Sequence, residues 1–147
     1  MSNKETLVSH SISIANSLSL ELLQELYELM DLVLDPDSNE GCQTPRRIKK
    51  SNKKTGGYKQ ITIPGTQNKA LCHQVAWRLK NGGLEIGVGM VVSHICGRST
   101  CCNADHLEVC TKDWNESRKY CHNGTFTICP HAMQQNGAKA CIVSKME

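Results

Sequence analysis

The sequence has few of the residues that usually build a hydrophobic core. Aromatic residues make up 4% of the 147 positions, and no run of about 18 apolar residues occurs. We therefore expect one domain, 1–147, that needs a stabilising element besides hydrophobic burial. The first residues contain no apolar run of signal length, so we expect no membrane partner and an intracellular protein, nuclear if the host is eukaryotic.

Acidic residues are scarce after residue 40. Residues 1–40 contain eight Asp or Glu against one Lys, whereas residues 41–147 contain sixteen Lys or Arg against six acids. An excess of positive charge indicates a polyanionic partner, and we expect double-stranded DNA. A solvated basic surface without a partner is the alternative interpretation.

The acidic part, residues 1–40, is predicted to be an N-terminal helix and a linker. Apolar residues recur at helical spacing from Leu20 to Leu34, and Pro36 ends the run. The opposite face is acidic, which predicts a structural or partner-facing helix, not a DNA reader. Residues 35–41 form the linker by composition.

Residues 41–66 are predicted to form a basic β-hairpin that binds DNA. Its arms would be 43–50 and 58–63, with a turn at 51–57; the alternative is an unstructured basic loop. A two-stranded ribbon fits the major groove, where Arg, Lys and Gln read bases. The predicted DNA contacts are Arg46, Arg47, Lys49, Lys50, Lys53, Lys54, Tyr58, Lys59, Gln60 and Thr62.

Residues 67–147 are predicted to form the metal-bound core. A short helix is expected from about Gln67 to Lys80, ended by Asn81-Gly82-Gly83, with Leu71, Val75 and Leu79 facing inward. Two β-strands would follow, at 90–96 and 106–110. A helix capped by Thr111 would complete a strand–strand–helix unit.

Cysteine is abundant, but nine residues are an odd number for disulfide pairing, so we expect metal ligands. Structural zinc takes four thiolate or imidazole ligands in a tetrahedron. One predicted zinc group has the spacing C-x4-C-x4-H and the other has C-x7-C-x-H-x9-C. Their members are Cys96, Cys101 and His106 in the first group, and Cys121, Cys129, His131 and Cys141 in the second.

The first zinc group lacks a fourth ligand. Cys42 or Cys72 would complete it, and we favour Cys42 because Cys72 sits beside inward-facing apolar residues of a helix, where a free thiol is common. Cys102 is a substitute ligand, and His122 is an alternative to His131.

The pattern Ser-His-x-Cys-x4-Cys-x4-His-Leu, then Asn-x5-Cys and Cys-x-His, spans about residues 92–131. It resembles the His-Cys box homing endonucleases, a family of ββα-metal nucleases. The resemblance implies an α+β, zinc-stapled ββα-metal fold with two structural zinc ions. It also implies that His94 is the general base and that Asn115 holds a catalytic magnesium ion.

The resemblance is incomplete in three respects. The family's phosphate-contacting arginine has no clear counterpart, and Arg47, Lys59 and Arg78 are the candidates. Cys141 lies farther from His131 than in the family. Only six residues follow Cys141, whereas the family dimerises through a long C-terminal tail, so a homodimer would need another surface, such as the acidic N-terminal helix.

The sequence as a whole predicts a magnesium-dependent, site-specific homing endonuclease that hydrolyses double-stranded DNA. Two alternatives remain: a ββα-metal nuclease with weak sequence preference, and a non-catalytic zinc module that binds nucleic acid. The polar side chains of the basic hairpin favour specificity, and the combination of His94 with Asn115 favours catalysis.

Overall fold

The computed structural model describes residues 3–38, 40–46, 48, 58–125, 129–133 and 139–142. Within them the protein is α+β, as the sequence predicts. The helices are α1 (Asn3–Ser17), α2 (Leu20–Met30), α3 (Cys72–Lys80) and α4 (Lys112–His122). The strands are β1 (Leu32–Leu34), β2 (Gln43–Pro45), β3 (Gln60–Thr62), β4 (Lys69–Leu71), β5 (Met90–His94) and β6 (Leu107–Thr111).

The strands form three antiparallel pairs: β1 with β2, β3 with β4, and β5 with β6. The last pair aligns Met90 with Thr111 and His94 with Leu107. α4 follows β6 directly, because the Thr111 side chain accepts a hydrogen bond from the backbone N–H of Trp114 (3.2 Å) and so caps the helix. The predicted strand–strand–helix unit is therefore present, including its cap.

The N-terminal amphipathic helix is present but shorter than predicted. α2 starts after Ser19, whose hydroxyl caps the first turn, and ends at Met30; the next residue, Asp31, adopts a left-handed φ of 49°. The prediction extended the helix to Leu34, but the residues after Asp31 form β1 instead. The helix α1 was not predicted, because polar residues interrupt its apolar ones.

α3 lies at the centre of the hydrophobic core, and its residues 72–78 are all buried. It packs against α2, whose Leu23, Leu26 and Met30 are completely buried. The core therefore joins the acidic N-terminal part to the part of the chain in which the metal ligands are predicted.

The predicted start of α3 is wrong, whereas its end agrees with the structure. The prediction began at about Gln67, but residues 69–71 form β4 and the helix begins at Cys72. Asn81-Gly82-Gly83 follows the last turn as expected. Leu71 and Val75 are buried, as predicted.

The predicted pairing of the basic hairpin is also wrong. Its first arm pairs with β1 and its second arm pairs with β4, so β2 and β3 are not partners. The two arms still meet through Lys59, whose Nζ donates to Thr44 Oγ1 (2.9 Å) and to the Pro45 carbonyl (3.0 Å). Residues 49–57, including the predicted turn, lie outside the described residues.

The described part of the chain contains no helix long and apolar enough to cross a membrane.

Arg78 was predicted as a DNA contact, but it is buried and its guanidinium donates to backbone carbonyls, so it offers no exposed group for that contact. Its Nη1 donates to the carbonyls of Ala15 and Leu18 (both 2.7 Å) at the end of α1, and its Nε donates to the Leu84 carbonyl (3.2 Å). Its Nη2 donates to the Gly83 carbonyl. Arg78 thus ties the end of α1 to the loop after α3.

We expect Arg78→Met to lower the free energy of unfolding by about 2–5 kcal/mol, because buried carbonyls lose charge-assisted hydrogen bonds. DNA affinity should stay unchanged at temperatures where the variant is folded. Urea denaturation followed by circular dichroism measures the first quantity. Lys80→Met, on the same helix but exposed, is the matched control. A stable Arg78→Met protein that lost DNA affinity would contradict the structural role.

Candidate active site and metal centres

A cleft of about 780 Å³ opens between α3, β5 and α4. Cavities of this size accommodate ligands. Both residues predicted to be catalytic, His94 and Asn115, line it. The fold therefore brings the end of β5 and the first turns of α4 to the same cleft, as the ββα arrangement requires.

The orientation of the His94 ring is fixed by one hydrogen bond. His94 is the last residue of β5, and its Nε2 lies 3.0 Å from the carbonyl oxygen of Cys101. Because a carbonyl oxygen can only accept, Nε2 carries the hydrogen, and in the neutral ring Nδ1 carries the lone pair. The ring therefore offers Nδ1 as its proton acceptor.

His94 belongs to a group of three aromatic rings. The centroid of the His73 ring lies 4.6 Å from that of His94, and the Tyr58 ring lies 5.8 Å from His94 at an interplanar angle of 14°. His73 is buried, and it also contacts Tyr58, with centroids 4.8 Å apart. These contacts restrict the plane of the His94 ring from the α3 side.

Both histidines of this group are neutral at neutral pH. Burial lowers the pKa of His94 to about 4, although the Cys101 carbonyl acts in the opposite direction. Burial also lowers the pKa of His73 well below its usual value, and the neighbouring His94 adds to this shift. A neutral His94 is the form that can accept a proton.

One face of α4 lines the cleft with basic and amide side chains. Lys112, Asn115, Lys119 and His122 are spaced by three or four residues, so they share this face, and all four line the cleft. Lys119 also pairs with Glu116 (2.6 Å), and both side chains are largely exposed. Lys112 and Lys119 flank Asn115 on this face, and their ammonium groups suit a phosphate backbone.

The first predicted metal group is assembled, with Cys42 as its fourth member. The ligand atoms of Cys42, Cys96, Cys101 and His106 all lie within 4.8 Å of one another. The sulfurs of Cys42 and Cys101 are each 3.5 Å from His106 Nδ1. A tetrahedral zinc ion separates sulfur and nitrogen ligands by about 3.5 Å, so the spacing fits zinc.

The second group is also assembled, and it includes the distant Cys141. The ligand atoms of Cys121, Cys129, His131 and Cys141 lie within 4.8 Å of one another. Their sulfurs lie 3.3–3.5 Å from His131 Nδ1, which again fits tetrahedral zinc. His122 is not in this group, because its ring contacts the Ile95 carbonyl instead.

The imidazole of the second group is held by α4. With Nδ1 facing the three sulfurs, His131 Nε2 donates to Ser117 Oγ (2.7 Å), which donates to the Trp114 carbonyl (2.6 Å). This is the usual support of a metal-bound histidine. Burial raises the pKa of Cys121 to about 12, and a bound cation would reverse this shift by binding the thiolate.

Three cysteines lie outside both groups. Cys72, Cys102 and Cys110 are buried, and burial raises the pKa of Cys72 to about 12 and that of Cys110 to about 11. Burial also raises the pKa of Cys102 well above its usual value. Protonated, buried thiols of this kind are unreactive. All nine cysteines are free of disulfides.

The residues predicted to contact DNA lie at different places and differ in exposure. Tyr58 lines the cleft, and Arg46 is exposed near Asp31 (4.0 Å). Gln60 is half-buried and Thr62 is exposed on β3. Lys59 is half-buried, whereas Arg47, Lys49, Lys50, Lys53 and Lys54 lie outside the described residues.

Several residues around the cleft were not predicted from the sequence. The spacing of Lys112, Lys119 and His122 relative to Asn115 indicates one helix face and could have been used to find them. No comparable signal marks His73. Nor does the sequence mark Arg118, which is buried, forms an ion pair with Glu108 and donates to the sulfur of Cys141 (3.0 Å).

Comparison with known families agrees with this geometry. Residues 70–116 match the family described as HNH endonuclease, and the match contains α3, β5, β6 and the first turn of α4. Searches of curated proteins and of solved structures found no match. Nucleases of this family use a divalent metal ion. Residues 70–116 are therefore similar to the HNH endonucleases, a ββα-metal nuclease family whose members act on DNA.

Proposed function

We propose that the protein is a site-specific endonuclease of the His-Cys box homing type, which hydrolyses double-stranded DNA with His94 as general base. The observation that carries the proposal is the hydrogen bond from His94 Nε2 to the Cys101 carbonyl, in the cleft that Asn115 also lines. The bond leaves Nδ1 of a neutral imidazole for proton abstraction.

The role of His94 follows from its tautomer and its protonation state. Nδ1 would take a proton from the attacking water, and the bond from Nε2 to the Cys101 carbonyl would stabilise the resulting cation. A pKa of about 4 keeps the ring neutral at neutral pH, so the lone pair on Nδ1 is present. The rings of His73 and Tyr58 hold its plane during the transfer.

Asn115 is the proposed magnesium ligand. Its amide oxygen is a hard donor, and the cleft lining also contains the carboxylates of Asp113 and Glu116, so the donor chemistry fits magnesium. A magnesium ion bound here would neutralise charge on the scissile phosphate and on the leaving 3′ oxygen. Lys112 and Lys119 flank Asn115 and would hold the neighbouring phosphates.

The two Cys3His groups are proposed to be structural zinc sites. The first holds the loop after β5 through Cys96 and Cys101, and therefore positions the carbonyl that orients His94. Each would supply stability that a core poor in aromatic residues does not provide. We further propose a homodimer, because a two-fold dimer reads a near-palindromic target.

The proposal is tested by incubating the protein with a randomised library of double-stranded DNA, with magnesium or with EDTA, and sequencing the ends. We expect discrete, magnesium-dependent cuts that carry 5′-phosphate and 3′-hydroxyl groups. His94→Ala serves as the catalytically inactive control.

The result also discriminates between the alternatives. Magnesium-dependent cuts spread over many sequences would indicate a nuclease of weak specificity. An intact library, with DNA binding and zinc content retained, would reject the enzyme and favour a non-catalytic zinc module.

A further inference from the structure

We propose that His122 is a positioning residue that holds the backbone beside the general base. The inference rests on the proposed catalytic role of His94. The Nε2 atom of His122 lies 2.7 Å from the carbonyl oxygen of Ile95, to which it must donate because a carbonyl only accepts. Ile95 is the residue between His94 and the metal-group member Cys96.

The Ile95 carbonyl receives a second hydrogen bond from the far end of the described chain. The backbone N–H of Ile142 donates to it at 2.8 Å. His122 follows Cys121 directly and Ile142 follows Cys141, and both cysteines belong to the second metal group. Two residues that directly follow members of the second group, His122 and Ile142, therefore both donate to the Ile95 carbonyl, just after the end of β5.

Gly97 provides the space for the His122 ring. A Cβ atom at Gly97 would lie 2.9–3.1 Å from three atoms of that ring, closer than side-chain contacts normally allow. Gly97 also has a φ of +74°, which favours glycine. Its N–H donates to the His94 carbonyl (3.0 Å), so the loop that receives the His122 ring is bonded directly to the general base.

These contacts fix His94 from two sides. The Cys101 carbonyl in the first metal group orients the ring of His94. His122 fixes the main chain one residue later, where Ile95 is buried. Loss of the His122 donor would let the end of β5 shift, and small displacements of a catalytic group are costly in rate. The segment that supplies His122 and Ile142 lies beyond residues 70–116, which match the HNH endonuclease family.

Four variants test this role. His122→Phe keeps a ring but removes the donor, whereas His122→Gln restores an N–H at a similar distance along the side chain. Gly97→Ala displaces the ring, and the double variant Gly97→Ala/His122→Phe tests whether the two residues act together. His10→Phe, on the exposed surface of α1, is the matched control.

We expect His122→Phe to lower the single-turnover cleavage rate by about 10–100-fold, as expected for a misplaced base. The Kd for DNA and a zinc content of two per chain should stay unchanged. Amide exchange at Ile95 and Gly97 should accelerate, and His122→Gln should recover most of the rate. Gly97→Ala should resemble His122→Phe, and the double variant should be no slower than the slower single variant.

Each contrary result has a definite meaning. Unchanged rate and exchange in His122→Phe, or no recovery in His122→Gln, would overturn the positioning role. A weaker Kd for DNA with an unchanged rate would show that His122 contacts DNA instead. If the wild-type protein does not cleave DNA, the proposed function fails. Amide exchange and zinc content would then still decide whether His122 holds the Ile95 carbonyl.

Discussion

Replacing His94 with alanine should lower the single-turnover rate of DNA cleavage by about 10²–10⁴-fold, the usual contribution of a general base. The reason is the loss of Nδ1, the proton acceptor. In the wild-type protein Nε2 donates to the Cys101 carbonyl, which leaves Nδ1 as the acceptor. The measurement is rapid-quench cleavage of the selected target, with saturating enzyme and magnesium. His10→Ala, which changes an exposed histidine, should cleave at the wild-type rate.

The same residue predicts an unusual pH profile. Because burial lowers the pKa of His94 to about 4, the base stays neutral as the pH falls, and its proton-linked loss of rate should appear only near that value. An ordinary histidine would lose half its activity near pH 6.5. A His94→Ala rate within about fivefold of wild type would contradict the role of His94 as general base, and an acidic limb near 6.5 would contradict its lowered pKa.

Acid also affects the fold, so stability must be followed in parallel. His73 and His94 both have folded-state pKa values lowered by burial. The unfolded chain therefore binds more protons than the folded chain once the pH falls below the ordinary histidine value, and the free energy of unfolding decreases. Circular dichroism at each pH separates unfolding from protonation of the base.

The ββα unit and the metal groups were predictable because their determinants are local. Cys96, Cys101 and His106 lie within eleven residues, and the Thr111 cap marks the start of α4. The need for four ligands around one ion restricts the spacing of these residues more tightly than a hydrophobic pattern restricts where a helix begins and ends. Even Cys42, distant in sequence, could be favoured over Cys72, because the latter belongs to a buried helix.

Long-range pairing was not predictable from the same signals. The basic arms have the composition of strands, yet their partners are β1 and β4, because nothing in an alternating pattern specifies which strand lies opposite. The charge of Arg78 alone predicts a DNA contact. In the structure its guanidinium instead donates hydrogen bonds to the carbonyls at the end of α1. Such roles depend on backbone groups that meet only after folding.

The contact between His122 and Gly97 is another long-range contact that could not be predicted from the sequence. Neither residue is unusual in the sequence, and their meeting depends on α4 packing against the loop after β5. The effect on His94 is therefore a property of the assembled ββα unit. A motif search restricted to residues 70–116 would include Gly97 and omit His122.

Loss of the first metal group should have the largest effect on stability. Cys101→Ala removes one ligand of the group, and we expect the zinc content to fall from two ions per chain to at most one. Structural zinc contributes about 10–16 kcal/mol in small zinc-dependent folds, comparable to or greater than the ~5–15 kcal/mol of a whole domain. The part of the protein around β5, β6 and α4 should therefore unfold.

The neighbouring Cys102 provides the matched control. It is also buried, but it lies outside both metal groups, so Cys102→Ala should keep both zinc ions and lower the free energy of unfolding by about 1–2 kcal/mol. Metal content by mass spectrometry and urea denaturation measure the difference between the two variants. Two zinc ions retained in Cys101→Ala, with unchanged stability, would contradict the role of Cys101 as a required ligand of the first group. The Cys101 carbonyl would then orient His94 through the hydrogen bonds of its loop alone.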